Sequence, residues 1–177
     1  MVTFSIVIPA YNEAKYIERA LSALRNQTFK DFEIIVKDGK SQDQTVKIAR
    51  KYTRKVVSQK DTSVADARNQ GAHHAKGQIL VFMDADTALP PQALTHFSQL
   101  MKNQDLIGVS CRKVPQSSST LDRIMYEFVN LSTYISSVMH LGGAHGNLML
   151  IRRHVFEQVG GFNPNIIVAE EQDLVRR

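Results

Sequence analysis

A short run of this chain is apolar at every position and then ends abruptly in two carboxylates. Residues 79–83 are all large and apolar, and Asp84-Ala85-Asp86 follows at once. A strand that is apolar on both sides is typical of a parallel sheet covered by helices on both faces. In open sheets of this kind, ligands bind beyond the carboxyl ends of the strands. The run therefore predicts an α/β fold and places Asp84 and Asp86 where a ligand site is expected.

The two aspartates are spaced so that both can face one ligand. Residues two apart on an extended segment point to the same side, and Ala85 is small enough to let a ligand approach. Two carboxylates at close range repel each other unless one is protonated or a cation lies between them. Carboxylate oxygens suit hard cations such as Mg²⁺ or Mn²⁺, which complete their coordination with water and substrate phosphates. The alternative is a pair of helix-capping or surface aspartates before the turn at Pro90-Pro91.

Apolar runs alternate with helical patterns along the first 110 residues, which predicts βαβ units and a mostly parallel sheet. The expected strands are residues 4–8, 32–36, 55–58, the run that ends at residue 84, and 106–110. The expected helices are residues 15–26, a helix opened by a capping box at Ser41, a helix from a second box at Ser63 to about residue 75, and a helix after Pro90-Pro91. Residues 1–112 thus form a predicted nucleotide-binding half.

Size and composition fit one globular domain over residues 1–177. With 43% hydrophobic content, a chain of this length can bury most of its apolar surface without disulfides or a structural metal. The single cysteine, Cys111, is expected to be a buried, reduced thiol in a strand, and the amino terminus lacks the features of a signal peptide. No stretch approaches the roughly 20 apolar residues of a transmembrane helix. The expected location is the cytoplasm, with attachment to the cytoplasmic face of a membrane left open.

The positive charge of the chain is concentrated in one segment. The formal net charge is +5, and lysines and arginines crowd the stretch from Lys37 to Lys60. Such a field favours phosphate-bearing partners, which include nucleotides, anionic lipid head groups and nucleic acid. A solvated basic face is the more common explanation of such a stretch.

Five segments, taken in order along the chain, carry a family resemblance. They are Ser5 to Glu13, Asp38 to Asp43, Ala67 to Gly77, Asp84-Ala85-Asp86, and Gly160-Gly161-Phe162 with Glu170 to Leu174. In order and spacing they resemble family 2 glycosyltransferases, which have a GT-A fold: a Rossmann-like α/β domain whose mostly parallel central sheet is flanked by helices. The resemblance implies an inverting transfer of a sugar from a nucleotide diphosphate donor to a hydroxyl. A UDP-sugar is the expected donor, with GDP-mannose as the main alternative.

The resemblance also implies a donor site. Its nucleotide-sugar-binding residues would be Pro9, Tyr11, Glu13, Asp38, Arg68, Asp84 and Ala85. Asp38 would bind the base, and a positive φ is expected at Gly39. Many family members have a second aspartate at the position of Gly39 and a glycine at the position of Lys40. Arg68 would reach a phosphate or the base, the alternative being a surface salt bridge. Asp86 is the expected ligand of Mn²⁺ or Mg²⁺, with Asp84 on the metal or the ribose.

A displacement also needs a base that takes the proton of the acceptor hydroxyl. The resemblance places this role on Glu171, where the family commonly has an aspartate, with Asp173 as the fallback. The alternative for both residues is an exposed acidic helix start. Similar enzymes continue beyond this point, so a truncated catalytic domain is expected.

Residues 113–177 form the expected acceptor side, and the acceptor is a glycan, a lipid or another hydroxyl compound. An apolar helical stripe runs from Leu121 to Met139, which indicates plain core or a dimer face more often than a lipid site, although peripheral membrane contact stays open. His145 in a glycine-rich loop is a candidate for binding acceptor or diphosphate, although a lone loop histidine usually does neither.

Two other functions stay open at this point. A sugar nucleotidyltransferase shares the sheet type and acidic metal site, but would normally have a glycine-rich basic loop where residues 9–13 stand. A non-catalytic module could bind nucleotide or nucleic acid through the basic stretch. With the donor site as predicted, no nucleic-acid partner is expected.

Overall fold

The computed structural model describes residues 2–112, 114–115, 119–139, 147–166 and 169–177. Within these residues, six strands form one sheet. The strands are β1 (Phe4–Ala10), β2 (Phe32–Asp38), β3 (Lys55–Ser58), β4 (Ile79–Met83), β5 (Gly108–Ser110) and β6 (Leu148–Arg152). The helices are α1 (Ile17–Arg25), α2 (Thr45–Ala49), α3 (Val64–His73), α4 (Ala93–Leu100), α5 (Thr120–Val138), α6 (Arg153–Gln158) and α7 (Glu170–Arg176).

The sheet is parallel over its first four strands and antiparallel at one edge. Its order is β3-β2-β1-β4-β6-β5. Strand β1 pairs in parallel with both β2 and β4, and β2 pairs in parallel with β3. Strand β6 runs antiparallel to β4 and to β5. The predicted mostly parallel sheet flanked by helices is confirmed, and the antiparallel β6 was not predicted.

Two apolar layers cover the sheet, one on each face. All five residues of β4 are buried, which confirms the expectation from its continuous apolar sequence. Along β1 the side chains alternate, so that Phe4, Ile6 and Ile8 pack in one layer and Val7 packs in the other. The first layer includes the buried faces of α1 and α4, and the second includes those of α3 and α6.

Strands β1 and β2 extend further than the sequence predicts. Strand β1 continues to Ala10 and β2 continues to Asp38, two residues past each expected end. Strand β3 has the predicted bounds. As a result, the polar residues that follow these strands lie together at one edge of the sheet, which is the edge where the acidic pair after β4 also lies.

One of the two predicted capping boxes is correct. The Ser63 hydroxyl accepts a hydrogen bond from the backbone N–H of Asp66 at 3.1 Å and caps α3. The box at Ser41 is wrong, because α2 begins only at Thr45 and has no side-chain cap. Ser41 instead accepts a hydrogen bond from the backbone N–H of Asn12 at 2.9 Å, which ties the loop before α2 to the end of β1.

Helix α5 does not bury its apolar stripe in the described part of the chain. Leu121, Ile124 and Phe128 are exposed by 68%, 60% and 70%, so the expectation of plain core is wrong there. Residues 140–146, which include the candidate His145, lie outside the described residues. Among the helices that are described, none has the length and apolar character to cross a membrane. Cys111 is half-buried just beyond β5, and burial raises the pKa of its thiol to about 11.

Candidate active site

A cavity of about 610 Å³ opens at the carboxyl ends of the parallel strands. Eight of the residues predicted for the site line it, namely Pro9, Tyr11, Glu13, Arg68, Asp84, Ala85, Asp86 and Glu171. Two predicted residues, Asp38 and Asp173, are not among the described residues on its wall. The structure thus brings together in one cavity the end of β1, the acidic pair after β4 and the start of α7.

Arg68 is the centre of a buried ionic network in the cavity. Its side chain is 3% exposed, and its Nη1 donates hydrogen bonds to Glu170 Oε1 at 2.8 Å and to Glu171 Oε1 at 2.6 Å. Its Nη2 donates to Asp84 Oδ1 at 3.2 Å. Burial disfavours the charged guanidinium, but the hydrogen bond to Glu171 and the three negative charges raise the pKa of Arg68 above its ordinary value. The predicted alternative of a surface salt bridge is therefore wrong.

The close approach of α3 to the sheet fixes the position of Arg68. Gly71 lies so near β1 that a Cβ at this position would be 2.3 Å from Val7 Cγ1. Asn69, the residue after Arg68, exchanges two hydrogen bonds with the backbone of Phe162, at 2.8 and 2.9 Å. The Phe162 ring in turn lies 5.4 Å from the guanidinium carbon of Arg68. A rigid helix and an aromatic ring therefore hold the arginine in place.

The acidic pair and Glu13 contribute three carboxylates to the cavity that interact through their charges. Asp84 is partly buried, and this burial, with the charges of Asp86 and Glu171, raises its pKa even though Arg68 opposes the shift. Burial likewise raises the pKa of Glu13, with further contributions from the charges of Asp86, Asp43 and Asp84. Burial is the larger cause of both shifts, and repulsion between the carboxylates adds to it; a bound cation would relieve this repulsion.

The carboxylates fit a divalent metal that shares its coordination with a ligand. In the described ranges, no group of three or more potential ligand side chains is arranged to hold a metal on its own. Mg²⁺ and Mn²⁺ do not require such a group, because one or two carboxylates, water and substrate phosphates suffice. Asp86 is exposed and faces the cavity, while Asp84 is held by Arg68. The metal assignment stays a prediction that this geometry allows.

The start of α7 places Glu171 in the cavity and turns Asp173 away from it. Ala169 before the helix has φ 64°, a left-handed conformation that is unusual for alanine. Glu170 and Glu171 are buried against Arg68, so the alternative of an exposed acidic helix start is wrong for them. Asp173 forms an ion pair with Arg177 at 2.9 Å. The geometry therefore favours Glu171 over Asp173 as the residue that can meet a ligand.

Asp38 is fully buried and bonded to its own loop. Its carboxylate accepts hydrogen bonds from the backbone N–H groups of Lys40 and Ser41 and, at 2.6 Å, from the Ser58 hydroxyl. The positive φ expected at Gly39 falls instead on Lys40, at 71°. A glycine would adopt this conformation without strain, which explains why a glycine is typical at the position of Lys40.

The basic stretch from residue 37 to residue 60 is not a uniform basic surface. Lys37 has no exposed side-chain surface and forms an ion pair with Asp61 at 3.0 Å, and Lys55 forms an ion pair with Glu33. Asp61 lines the cavity. Sequence reasoning missed Asp61, Glu170 and the anchoring role of Asn69, although the position of Asp61 just beyond β3 is a signal that could have found it.

The fold and the cavity define an α/β domain with an acidic ligand site at the carboxyl ends of its parallel strands. A model of glycosyl transferase family 2 matches residues 5–160, and the chain belongs to this family. It is 34% identical over 132 residues to the poly(ribitol-phosphate) beta-N-acetylglucosaminyltransferase TarS of Staphylococcus aureus, covering 66% of this chain and 23% of the relative. It is 29% identical over 175 residues to the glycosyltransferase AglE of Haloferax volcanii, covering 93% of this chain and 57% of the relative.

Solved structures confirm the GT-A fold. The mannosyltransferase PcManGT from Pyrobaculum calidifontis, in complex with GDP-Man and Mn²⁺, matches with a TM-score of 0.77 at 24% identity, over 97% of this chain and 50% of its own. S. aureus TarS in complex with UDP-GlcNAc matches with a TM-score of 0.72 at 23% identity, over 98% of this chain and 52% of its own. The chain thus spans about half, or less, of the length of these relatives.

Proposed function

We propose that this chain is the catalytic region of a metal-dependent, inverting glycosyltransferase that moves a sugar from a nucleotide diphosphate donor to an acceptor hydroxyl. The observation that carries the proposal is that one cavity is lined both by the acidic pair after β4 and by Glu171 at the start of α7. A sugar transfer by direct displacement needs these two features together: a site for the leaving diphosphate and a nearby base.

At the leaving-group side, Asp86 and Asp84 would hold Mn²⁺ or Mg²⁺. The metal would supply positive charge to the donor phosphates and so stabilise the diphosphate as its bond to the sugar breaks. Arg68 adds a fixed positive charge beside Asp84, at 3.2 Å. Tyr11, which is 58% exposed at the end of β1, would offer its ring to the nucleoside.

At the acceptor side, Glu171 would take the proton of the attacking hydroxyl while the new glycosidic bond forms. A single displacement by one nucleophile inverts the configuration at the anomeric carbon. The hydrogen bond from Arg68 orients the Glu171 carboxylate for this role. The proposed acceptor is a glycan, a lipid or another hydroxyl compound, and peripheral contact with a membrane stays a prediction.

The relatives support a nucleotide-sugar donor. PcManGT is described in complex with GDP-Man and Mn²⁺, and TarS in complex with UDP-GlcNAc. Both donors are sugars on a nucleoside diphosphate, which is the class of ligand that an acidic, metal-binding cavity of this kind suits. A nucleic-acid-binding module is less well supported, because Lys37 is buried and both Lys37 and Lys55 are paired with carboxylates.

The test is the release of nucleoside diphosphate from a panel of UDP- and GDP-sugars by the 177-residue chain with Mn²⁺. We expect release from at least one donor, and its loss on addition of a chelator. Glu171→Gln should lower transfer to an acceptor about 10²- to 10⁴-fold. Asp173→Asn is the matched control and should retain activity. Release from no donor contradicts the proposal, and full transfer by Glu171→Gln contradicts the base assignment alone.

A further inference from the structure

The cavity continues past β1 to the loop after β3, where Asp61 forms part of its wall. In the sheet, β3 and β4 are three strand positions apart, with β2 and β1 between them. Strands are spaced by about 4.8 Å, so the end of β3 lies about 14 Å from the end of β4. If the diphosphate lies at the acidic pair after β4, the far end of an extended nucleotide reaches the end where Asp61 lies.

A buried lysine fixes the Asp61 carboxylate in position. The Lys37 ammonium group, which is inaccessible to solvent, donates hydrogen bonds to Asp61 Oδ2 at 3.0 Å and to the backbone carbonyls of Gln59 and Asp38 at 2.5 and 3.2 Å. On its other side the carboxylate lies over Gly39, where a Cβ would be 3.1 Å from both of its oxygens. The carboxylate is therefore held between Lys37 and the backbone of residue 39.

This arrangement leaves Asp61 with acceptor capacity that faces the cavity. The side chain is 22% exposed and lines the cavity, and its ion pair with Lys37 uses Oδ2. A carboxylate has two oxygens that each accept more than one hydrogen bond. Asp38, by contrast, is fully buried and already accepts hydrogen bonds from two backbone N–H groups of the loop that follows it and from the Ser58 hydroxyl of β3.

We propose that Asp61 reads the base of the donor and selects guanine, an inference that rests on the proposed function. Guanine presents two adjacent donors, N1–H and the N2 amino group, which match the two oxygens of a carboxylate. Uracil presents one donor, N3–H, between two carbonyls that repel a carboxylate. Adenine and cytosine present an acceptor nitrogen at the corresponding ring position. The resulting order of preference is guanine, then uracil, then adenine and cytosine, so the donor is a GDP-sugar.

The first experiment needs no mutation. The chain is titrated calorimetrically with GDP, IDP, UDP and ADP in the presence of Mn²⁺. IDP lacks only the amino group at position 2, so the comparison of GDP with IDP isolates the second hydrogen bond to the carboxylate. Hydrogen bonds to charged groups predict that GDP binds at least tenfold more tightly than IDP, and ADP should be the weakest ligand. Equal binding of GDP and IDP, or tighter binding of UDP than of GDP, overturns the proposal.

The second experiment replaces Asp61 itself. Asp61→Asn keeps an oxygen that can accept from Lys37, but its amide nitrogen opposes one donor of guanine and can donate to a uracil carbonyl. We expect the ratio of GDP to UDP affinity to fall at least tenfold. Asp105→Asn, an exposed residue outside the cavity, makes the same charge change and should leave the ratio as it is. An unchanged ratio in Asp61→Asn overturns the proposal.

The binding results distinguish a failure of the proposed donor site from a failure of the assignment of Asp61 to guanine. If no nucleotide binds in the presence of Mn²⁺, the proposed donor site itself is wrong. If UDP binds well with metal and GDP does not, the donor site stands and only the assignment of Asp61 to guanine fails. The comparison of GDP with IDP in the unmodified chain remains decisive even if Asp61→Asn destabilises the fold.

Discussion

Arg68 Nη1 lies 2.6 Å from Glu171 Oε1, although the two residues are 103 positions apart in the chain. Through its other terminal nitrogen the same arginine bonds Asp84, which belongs to the acidic pair after β4. One cation therefore joins the candidate base to the candidate metal site. The relative position of these two groups, on which a displacement depends, is set by a single side chain.

Replacement of Arg68 should destabilise the fold strongly. Arg68→Met would leave Asp84, Glu170 and Glu171 without their cation, and removal of one partner from a buried ionic group costs about 3–5 kcal/mol. Arg68→Lys should cost less, because it keeps the charge but loses the planar fork. Urea denaturation of the metal-free chain measures both. Arg54→Met, at an exposed position, is the control and should lose little stability. An equally small loss in Arg68→Met would show that the network contributes little.

Glu170→Gln should stabilise the chain at neutral pH. Burial, together with the neighbouring charge of Glu171, raises the pKa of Glu170 above its ordinary 4.5. The folded state then binds this proton more tightly than the unfolded state, so the free energy of unfolding falls as pH rises from about 4.5 through the folded-state pKa. The amide avoids this loss while its oxygen still accepts from Arg68.

Denaturation of the metal-free chain at pH 4 and pH 7 measures the effect of Glu170→Gln. The variant should exceed the unmodified chain in stability at pH 7, and the difference should shrink at pH 4. For Glu157→Gln, on the exposed side of α6, the difference in stability from the unmodified chain should not grow between pH 4 and pH 7. A difference that is the same at both pH values would mean that the charge of Glu170 is not the cause.

Lys40→Gly should stabilise the chain. Lys40 has φ 71°, and a left-handed conformation costs a residue with a side chain about 1–2 kcal/mol. The larger conformational entropy of glycine in the unfolded state offsets about 0.5–1 kcal/mol of the gain from the substitution. The expected gain is about 0.5–1 kcal/mol in the free energy of unfolding. Lys47→Gly, inside α2, should lose about 1 kcal/mol. Loss of stability in both variants would contradict the assignment of strain to Lys40.

Gly71→Ala should destabilise the chain, although the same change in the middle of a helix ordinarily stabilises it. The new Cβ would lie 2.3 Å from Val7 Cγ1, and overpacking of this kind costs about 1–3 kcal/mol. In a Val7→Ala background the same change should cost clearly less, because the clashing methyl group is gone. Equal costs in both backgrounds, measured by urea denaturation, would show that the close approach of α3 to β1 is not the cause.

Local sequence patterns were sufficient to predict strand β4 and the cap of α3. The apolar residues of β4 favour a strand buried on both faces, and the end of that strand locates Asp84 and Asp86. The Ser63 cap is likewise a local hydrogen bond. Strand β6 was missed although Leu148 to Ile151 is a similar buried apolar run, and its place beside β4, antiparallel to it, depends on pairing between residues far apart in the chain.

The arrangement of the site depends on contacts that no local pattern specifies. The strand-end rule places Asp38 and Asp61 at the same edge of the sheet, but burial of Lys37 decides which of the two faces the cavity. The face of Arg68 on α3 follows from helical periodicity, whereas its partners Glu170 and Glu171 lie over 100 residues away. Sequence therefore identified many of the residues that line the cavity, and tertiary packing decided their partners.

Metal-dependent nucleotide binding tests the central claim most directly. The chain is titrated with GDP and with UDP, with Mn²⁺ and with a chelator, and the titrations are repeated for Asp86→Asn and for the exposed control Asp105→Asn. We predict that at least one nucleotide binds with Mn²⁺, and that its affinity falls at least tenfold with chelator or in Asp86→Asn but not in the control. Nucleotide binding that is equal with and without metal, or undiminished in Asp86→Asn, would contradict the account.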